Sequence, residues 1–183
     1  MSIQLSVLIP SLPERTVTTL APVLEDLTVQ ARGHDVEVIV LTDNRTRTIG
    51  AKRNLLLGLA QGEYVAFVDD DDRVAPHYIA SLCAAIAGNP GVDCIVFDVE
   101  VDFRGQFKKV ARYGKDYAIS EDGAFYYRKP NHLMCYHWRI AARHPYGDVN
   151  FGEDTDWSLR AAEDIVSEVR IADVLYFYDY VGP

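Results

Sequence analysis

Gly62-Glu63-Tyr64-Val65-Ala66-Phe67-Val68-Asp69-Asp70-Asp71-Asp72 runs a short apolar, β-prone segment into four consecutive carboxylates. Tyr64 to Val68 reads as a strand buried on both faces, since nothing in it alternates with polar residues. Four adjacent negative charges repel, so their convergence at a strand end needs a cause. A solvated acidic loop capping the next helix is the ordinary one. Position favours another. Sites in open α/β sheets lie beyond the carboxyl ends of the strands, and a hard cation such as Mg²⁺ or Mn²⁺ takes oxygen ligands there and bridges to phosphates.

The flanking sequence supplies the sheet this reading needs. Leu5 to Pro10 reads as a buried strand and Val17 to Gln30 as a helix with apolar residues at helical spacing. Val36 to Leu41 is a second strand and Ile49 to Ala60 a second helix, which Gly62 is expected to close. A helix from Pro76 to Ala87, with proline at its first turn, and a strand from Val92 to Phe97 follow. Repeated βα units with continuously apolar strands predict a mostly parallel sheet flanked by helices. The second half changes character. Val96 to Phe103 and Phe107 to Tyr113 predict a hairpin turning at Arg104-Gly105. An irregular aromatic stretch covers Tyr117 to Trp138, then a helix from Glu153 to about Glu163 and a last strand from Val174 to Tyr180. With 183 residues, one domain with two functional halves, 1–98 and 99–183, is the expected organisation.

Composition narrows the function. The chain is 49% hydrophobic and 25% charged, as a globular protein is, and its net charge of -9 argues against a dedicated nucleic-acid binder. Cys83, Cys94 and Cys135 are odd in number and widely spaced, which points to reduced thiols and a cytoplasmic setting. The first residues show neither the basic nor the apolar region of a secretory leader. No apolar stretch approaches the roughly 20 residues of a membrane span, so any membrane association would be peripheral.

Gly50-Ala51-Lys52-Arg53-Asn54, then Ala60-Gln61-Gly62-Glu63-Tyr64 and Asp69-Asp70-Asp71-Asp72, resemble the signature of glycosyltransferase family 2. The resemblance spans roughly residues 3 to 160 and is most specific over 50 to 72. It implies a GT-A fold with a Rossmann-like sheet and a smaller hairpin-bearing acceptor half, in a short, single-domain member. It further implies a metal-dependent, inverting glycosyltransferase that uses Mn²⁺ or Mg²⁺ and a nucleotide-sugar donor, with UDP-sugars favoured. By the motif, Asp71 is the metal ligand, with Asp69 nucleotide-facing and close to the metal, and Asp70 beside it. The Arg53-Asn54 pair, Asp43 at the second strand end and the Pro10-Ser11 turn with Arg15 complete the donor pocket. Leu12-Pro13-Glu14-Arg15 replaces the family's usual Tyr-Asn-Arg, and Asn44-Arg45 replaces its usual Gly-Ser.

Phe151-Gly152-Glu153-Asp154-Thr155-Asp156-Trp157 resembles the family's second acidic motif, which implies Asp154 as general base with Glu153 beside it. The chemistry asks for such a group, since an acceptor hydroxyl is a poor nucleophile until its proton has somewhere to go. Acidic residues at a helix start are also favoured by capping and the helix dipole alone. His132 and His137 are further candidates for the metal, although packing beside aromatic residues explains a histidine equally well. Tyr117, Phe125, Tyr126, Tyr127, Tyr136 and Trp138 offer faces on which a sugar could stack, or core. The acceptor is open among a glycan, a lipid carrier, a protein and a modified nucleic-acid base, and oligomeric state is not legible. A sugar-nucleotide nucleotidyltransferase should open on a glycine-rich loop, which Ile9-Pro10-Ser11-Leu12-Pro13 is not. A dehalogenase-type phosphatase wants an aspartate after the first strand, and a dinucleotide-dependent oxidoreductase wants Gly-x-Gly-x-x-Gly; neither is present. A non-catalytic nucleotide- or glycan-binding module is the remaining rival, and measurable donor hydrolysis separates it.

Overall fold

The computed structural model describes residues 2–180. One sheet runs through the molecule. Its first half holds β1 (Leu5–Ser11), α1 (Ala21–Gln30), β2 (Val36–Thr42), α2 (Ile49–Leu59), β3 (Tyr64–Phe67), β4 (Arg73–Val74), α3 (Tyr78–Gly88) and β5 (Cys94–Phe103). Its second half adds β6 (Phe107–Tyr113), β7 (Ser120–Glu121), β8 (Phe125–Arg128), β9 (Cys135–His137), α4 (Trp138–Ala141), α5 (Glu153–Glu163) and β10 (Glu168–Tyr180). The strand order is β2-β1-β3-β9-β5-β6-β8-β7, with β10 pairing parallel to β5 and antiparallel to β4. β1 lies parallel to both β2 and β3, as the apolar runs predict. Leu5, Leu8, Ile9, Phe67 and Phe97 are fully or almost fully buried in the core between sheet and helices.

Several local readings differ from the sequence expectation. β9 enters antiparallel between β3 and β5, so the parallel part of the sheet is interrupted. Three residues carry no readable period. The first helix begins only at Ala21. Pro22 sits in its first turn, and before it the chain makes a short 3₁₀ turn and a wide turn in which Ala21 N–H donates to Thr16 O. Gly62 does not close α2, which ends at Leu59. A side chain at 62 would collide with the backbone of Ser6, so this glycine exists for close approach to β1. Pro76 precedes α3, whose first residue is Tyr78.

The hairpin forms where predicted. Arg104 and Gly105 both take positive φ, 54° and 69°, and Phe103 pairs with Phe107. α5 covers Glu153–Glu163, and Trp157 on its inner face is fully buried, stacked on Tyr146 at 4.8 Å. Cys83, Cys94 and Cys135 are all buried and free. Among the described residues no helix is long and apolar enough to cross a membrane.

Candidate active site

The carboxyl ends of β1, β2 and β3 open on one cavity of about 1110 Å³ that extends past the start of α5 onto the hairpin sheet. At the β2 end, Asp43 is held by Lys52 Nζ at 2.6 Å and by the Thr46 hydroxyl at 2.9 Å. Lys52, almost buried itself, also donates to Ser11 O at 2.7 Å. The Lys52 bond is the main reason the Asp43 carboxyl drops to about 2.

The four acidic residues diverge. Asp69 accepts from Arg53 Nη2 at 2.9 Å and approaches His132 Nε2 at 3.4 Å. Burial opposes its charge, but the Arg53 guanidinium and then His132 hold it well below the usual carboxylate range. Asp70 is 2% exposed and accepts from Ser11 Oγ at 2.6 Å and Arg15 at 2.7 Å, which ties β3 to β1. Asp72 points the other way, accepting from the Tyr176 hydroxyl at 2.7 Å. Burial, and then the charge of Asp69, push its carboxyl up to about 8. Asp71 alone keeps a half-exposed carboxylate on the cavity, 3.0 Å from Arg15. Burial and its acidic neighbours raise its pKa against the pull of Arg15.

Among the described residues no three metal-ligating side chains converge into a cage. The donor set still fits a divalent ion held jointly with a ligand, since Mg²⁺ is commonly bound by one or two carboxylates plus substrate phosphates. Asp71 supplies an accessible oxygen ligand whose charge is disfavoured first by burial and then by its acidic neighbours, a condition a cation would relieve. Asp69 is occupied by Arg53 and His132.

Arg53 is buried across the back of this site. It reaches Asp69, approaches Glu153 at 3.5 Å and lies over the rings of Phe67 and Tyr146. Glu153 is correspondingly buried, 6% exposed, while Asp154 has its side chain 38% exposed on the cavity. The turn into α5 is made by Gly152 in the left-handed region, φ 81°, where a side chain would be strained. The preceding loop is tied to the start of α2, with Gly50 N–H donating to Val149 O and Ile49 N–H to Asn150 Oδ1. α2 thereby sets the position of Asp154.

Sequence reasoning left open what His132 does. Its ring is nearly buried, with Nδ1 3.6 Å from Asp154 Oδ2 while Nε2 faces Asp69. It stands between the two acidic motifs. Among the described residues His132 Nδ1 and Arg53 Nη1 are buried without a hydrogen-bond partner, which is uncommon enough to suggest a ligand completes them. His137 lies away from the acidic cluster, capping α4 through Arg139 N–H and facing Glu63. Asn54 is also away from the cavity wall. Its amide clamps residue 146 by accepting from Tyr146 N–H and donating to Tyr146 O. Of the six aromatic residues singled out, only Tyr126 lines the cavity; Tyr136 is core. Tyr113 and Tyr178, which do line it, carry no motif that marks them; Lys52, which lines it too, lies inside the Gly50-Ala51-Lys52-Arg53-Asn54 run.

A mostly parallel sheet flanked by helices and continued by a hairpin, with acidic residues at the junction, is the architecture of the GT-A fold. The Glycosyl transferase family 2 profile matches residues 10–148, and the chain belongs to that family. A search of curated proteins returned no match. Among solved structures, S. aureus TarS is similar at 14% identity with a TM-score of 0.62, over 97% of this chain and 37% of that one. The S. aureus TarS 1-349 structure in complex with UDP-GlcNAc matches at 14% identity and a TM-score of 0.63, over 98% of this chain and 59% of that one. The complex of the same segment with UDP gives 14% and 0.60, over 97% and 60%. This chain therefore spans well under two thirds of the TarS chains it resembles, and at this identity the likeness speaks for the fold.

Proposed function

We propose that this protein transfers a sugar from a nucleotide-diphosphate sugar, with UDP as the nucleotide, to an acceptor hydroxyl with inversion at the anomeric carbon. The observation that carries the reading is the junction at His132. Through it the donor-side carboxylate Asp69 and the half-exposed Asp154 meet on one continuous cavity, with an acceptor-sized space beyond. Family membership and the UDP and UDP-GlcNAc complexes of TarS support the donor class.

In a single displacement the acceptor oxygen attacks the anomeric carbon opposite the diphosphate. The new C–O bond forms as the bond to diphosphate breaks, and the bonding pair leaves with the diphosphate. Asp154 Oδ takes the acceptor proton, the role that fits its exposure. Glu153, buried against Arg53, acts as a positioning residue. Arg15 at the cavity wall faces the growing charge on the leaving group. A Mn²⁺ or Mg²⁺ ion held by Asp71 and the donor would add neutralising charge at that diphosphate.

Asp154→Asn keeps the shape and removes the basicity. Turnover of UDP-sugars, read as UDP release, should fall about a hundredfold or more, with UDP affinity nearly unchanged. Glu153→Gln should cost less. Full activity in Asp154→Asn would overturn the assignment of the base, and no turnover of any UDP-sugar by the unmodified chain would favour a binding module instead.

A further inference from the structure

β9, the strand with no readable period, decides what stands between the two acidic motifs. It runs antiparallel to β3, pairing Tyr64 with His137 and Val65 with Tyr136. Carried past the strand ends, the same register sets residue 132 level with residue 69. The turn before β9 is fixed locally. Met134 N–H donates to Asn131 O at 3.1 Å and Leu133 N–H to Asn131 Oδ1 at 3.1 Å, while Asn131 Nδ2 reaches the Tyr113 hydroxyl on β6 at 3.3 Å. Leu133 and Met134 are buried next to it, and His132 itself is 6% exposed. Each of its ring nitrogens faces one carboxylate. Asp69 accepts from Arg53 Nη2 at Oδ1 and turns Oδ2 to His132 Nε2 at 3.4 Å. Asp154 accepts from Thr155 N–H at Oδ1, 2.8 Å away, and its Oδ2 lies 3.6 Å from His132 Nδ1. The first contact is a long hydrogen bond and the second stops just short of one. Contacts of this kind at an unliganded site commonly tighten when substrate arrives.

We propose that His132 is a positioning residue with two separable arms, Nε2 fixing Asp69 for the nucleotide and Nδ1 turning Asp154 Oδ2 toward the acceptor proton. This rests on the glycosyl-transfer reading above and gives a role to a residue outside both acidic motifs. Carboxylate oxygens accept, and an imidazole carries N–H on either nitrogen or on both, so one ring can serve both neighbours. Asp154 needs such a neighbour. Thr155 holds only its Oδ1, which leaves the oxygen on the His132 side to be aimed. A histidine kept for packing is satisfied by its surroundings, as His137 is, with its ring 5.0 Å from that of Tyr64 and Nδ1 accepting from Arg139 N–H. His132 Nδ1 instead is buried with no hydrogen-bond partner among the described residues. Its position between the motifs makes the setting of the base depend on the same ring that steadies the nucleotide side.

The test separates the arms by amide length. An asparagine amide nitrogen stands at the same bond count from the backbone as Nδ1, and a glutamine amide nitrogen at that of Nε2. His132→Gln in the full chain should keep the Asp69 arm. UDP affinity, by calorimetry with Mn²⁺, should stay within about twofold, while UDP release from UDP-sugars at saturating donor falls about tenfold or more. His132→Asn should do the reverse, weakening UDP about three- to tenfold and costing less turnover than the glutamine does. Equal losses in both variants and both readouts would make the ring a packing residue and overturn the proposal. A further measurement needs neither variant nor turnover. With the histidine ring nitrogens isotopically labelled for NMR, Asp154→Asn should move the His132 Nδ1 resonance further than Nε2, and UDP should move Nε2. An Nδ1 resonance indifferent to Asp154→Asn would overturn the proposal even if both amide variants failed to fold. An unmodified chain that releases no UDP from any UDP-sugar would sink the transfer reading alone, and the two ring resonances would still decide whether His132 holds both carboxylates.

Discussion

Asp71 and Asp43 show how neighbouring carboxylates acquire different work from their surroundings. Asp71 is the most exposed carboxylate of the cluster on the cavity, with Arg15 3.0 Å away. Asp71→Ala, or EDTA on the unmodified chain, should weaken UDP binding about tenfold or more in calorimetry. An affinity unchanged by EDTA would remove the metal from the site. Asp43 is buried against Lys52, with its carboxyl lowered from 3.8 to about 2. A lowered carboxyl contributes stability that is complete above its unfolded value and is lost as the pH falls through the folded one. That contribution should fade between about 4 and 2. Thermal melts across this window should fall less steeply for Asp43→Asn than for the unmodified chain, and parallel slopes would count against the Lys52 pairing. The placement of Asp69, Asp71 and Asp154 on one cavity was legible because each stands at the end of a strand or the start of a helix. The contacts of His132 and Lys52 were not, since their partners lie far off in the chain and only folding brings them together.

α2 does more than cover the sheet. Its first turn carries Gly50, where a side chain would run into the carbonyl of Gly147 and crowd Glu153. Gly50→Ala should cost about 1–3 kcal/mol by overpacking, roughly 2–10 °C in melting temperature, and should lower turnover by displacing the loop before Asp154. Gly58, in the same helix, has open space where a side chain would be added. Gly58→Ala should therefore leave turnover alone and raise stability slightly, by about 0.5–1 kcal/mol. A melt unaffected by Gly50→Ala would mean the loop yields freely. Elements written in local pattern were readable, the α5 boundaries and the Arg104-Gly105 hairpin among them. β9 was not, because its apolar residues serve β3 and β5 on either side rather than a period of their own. β10 starts six residues before the expected Val174, because a register shift between Arg170 and Val174 breaks the apolar alternation.

At the scale of the whole molecule the two halves do not stand apart. β10, from the end of the described chain, pairs along β5 and also with β4, and its Tyr176 hydroxyl accepts from Asp69 N–H while donating to Asp72. The acidic loop after β3 is thus supported by a strand more than a hundred residues later. A fragment ending at residue 98 should show no cooperative melt by circular dichroism, and a sharp transition there would make the first half an independent domain. The expectation of a mostly parallel sheet was readable; this dependence was not, since strand pairing at long range leaves no local trace. Arg53 and His132 form a similar link at the centre, each touching Asp69 on one side and the Glu153-Asp154 pair on the other. For lineages descended from this sequence the link is a constraint on drift. Replacing Asp69 alone strands the buried Arg53 cation, so positions 53, 69, 132 and 153 should vary together across descendants or hold still together.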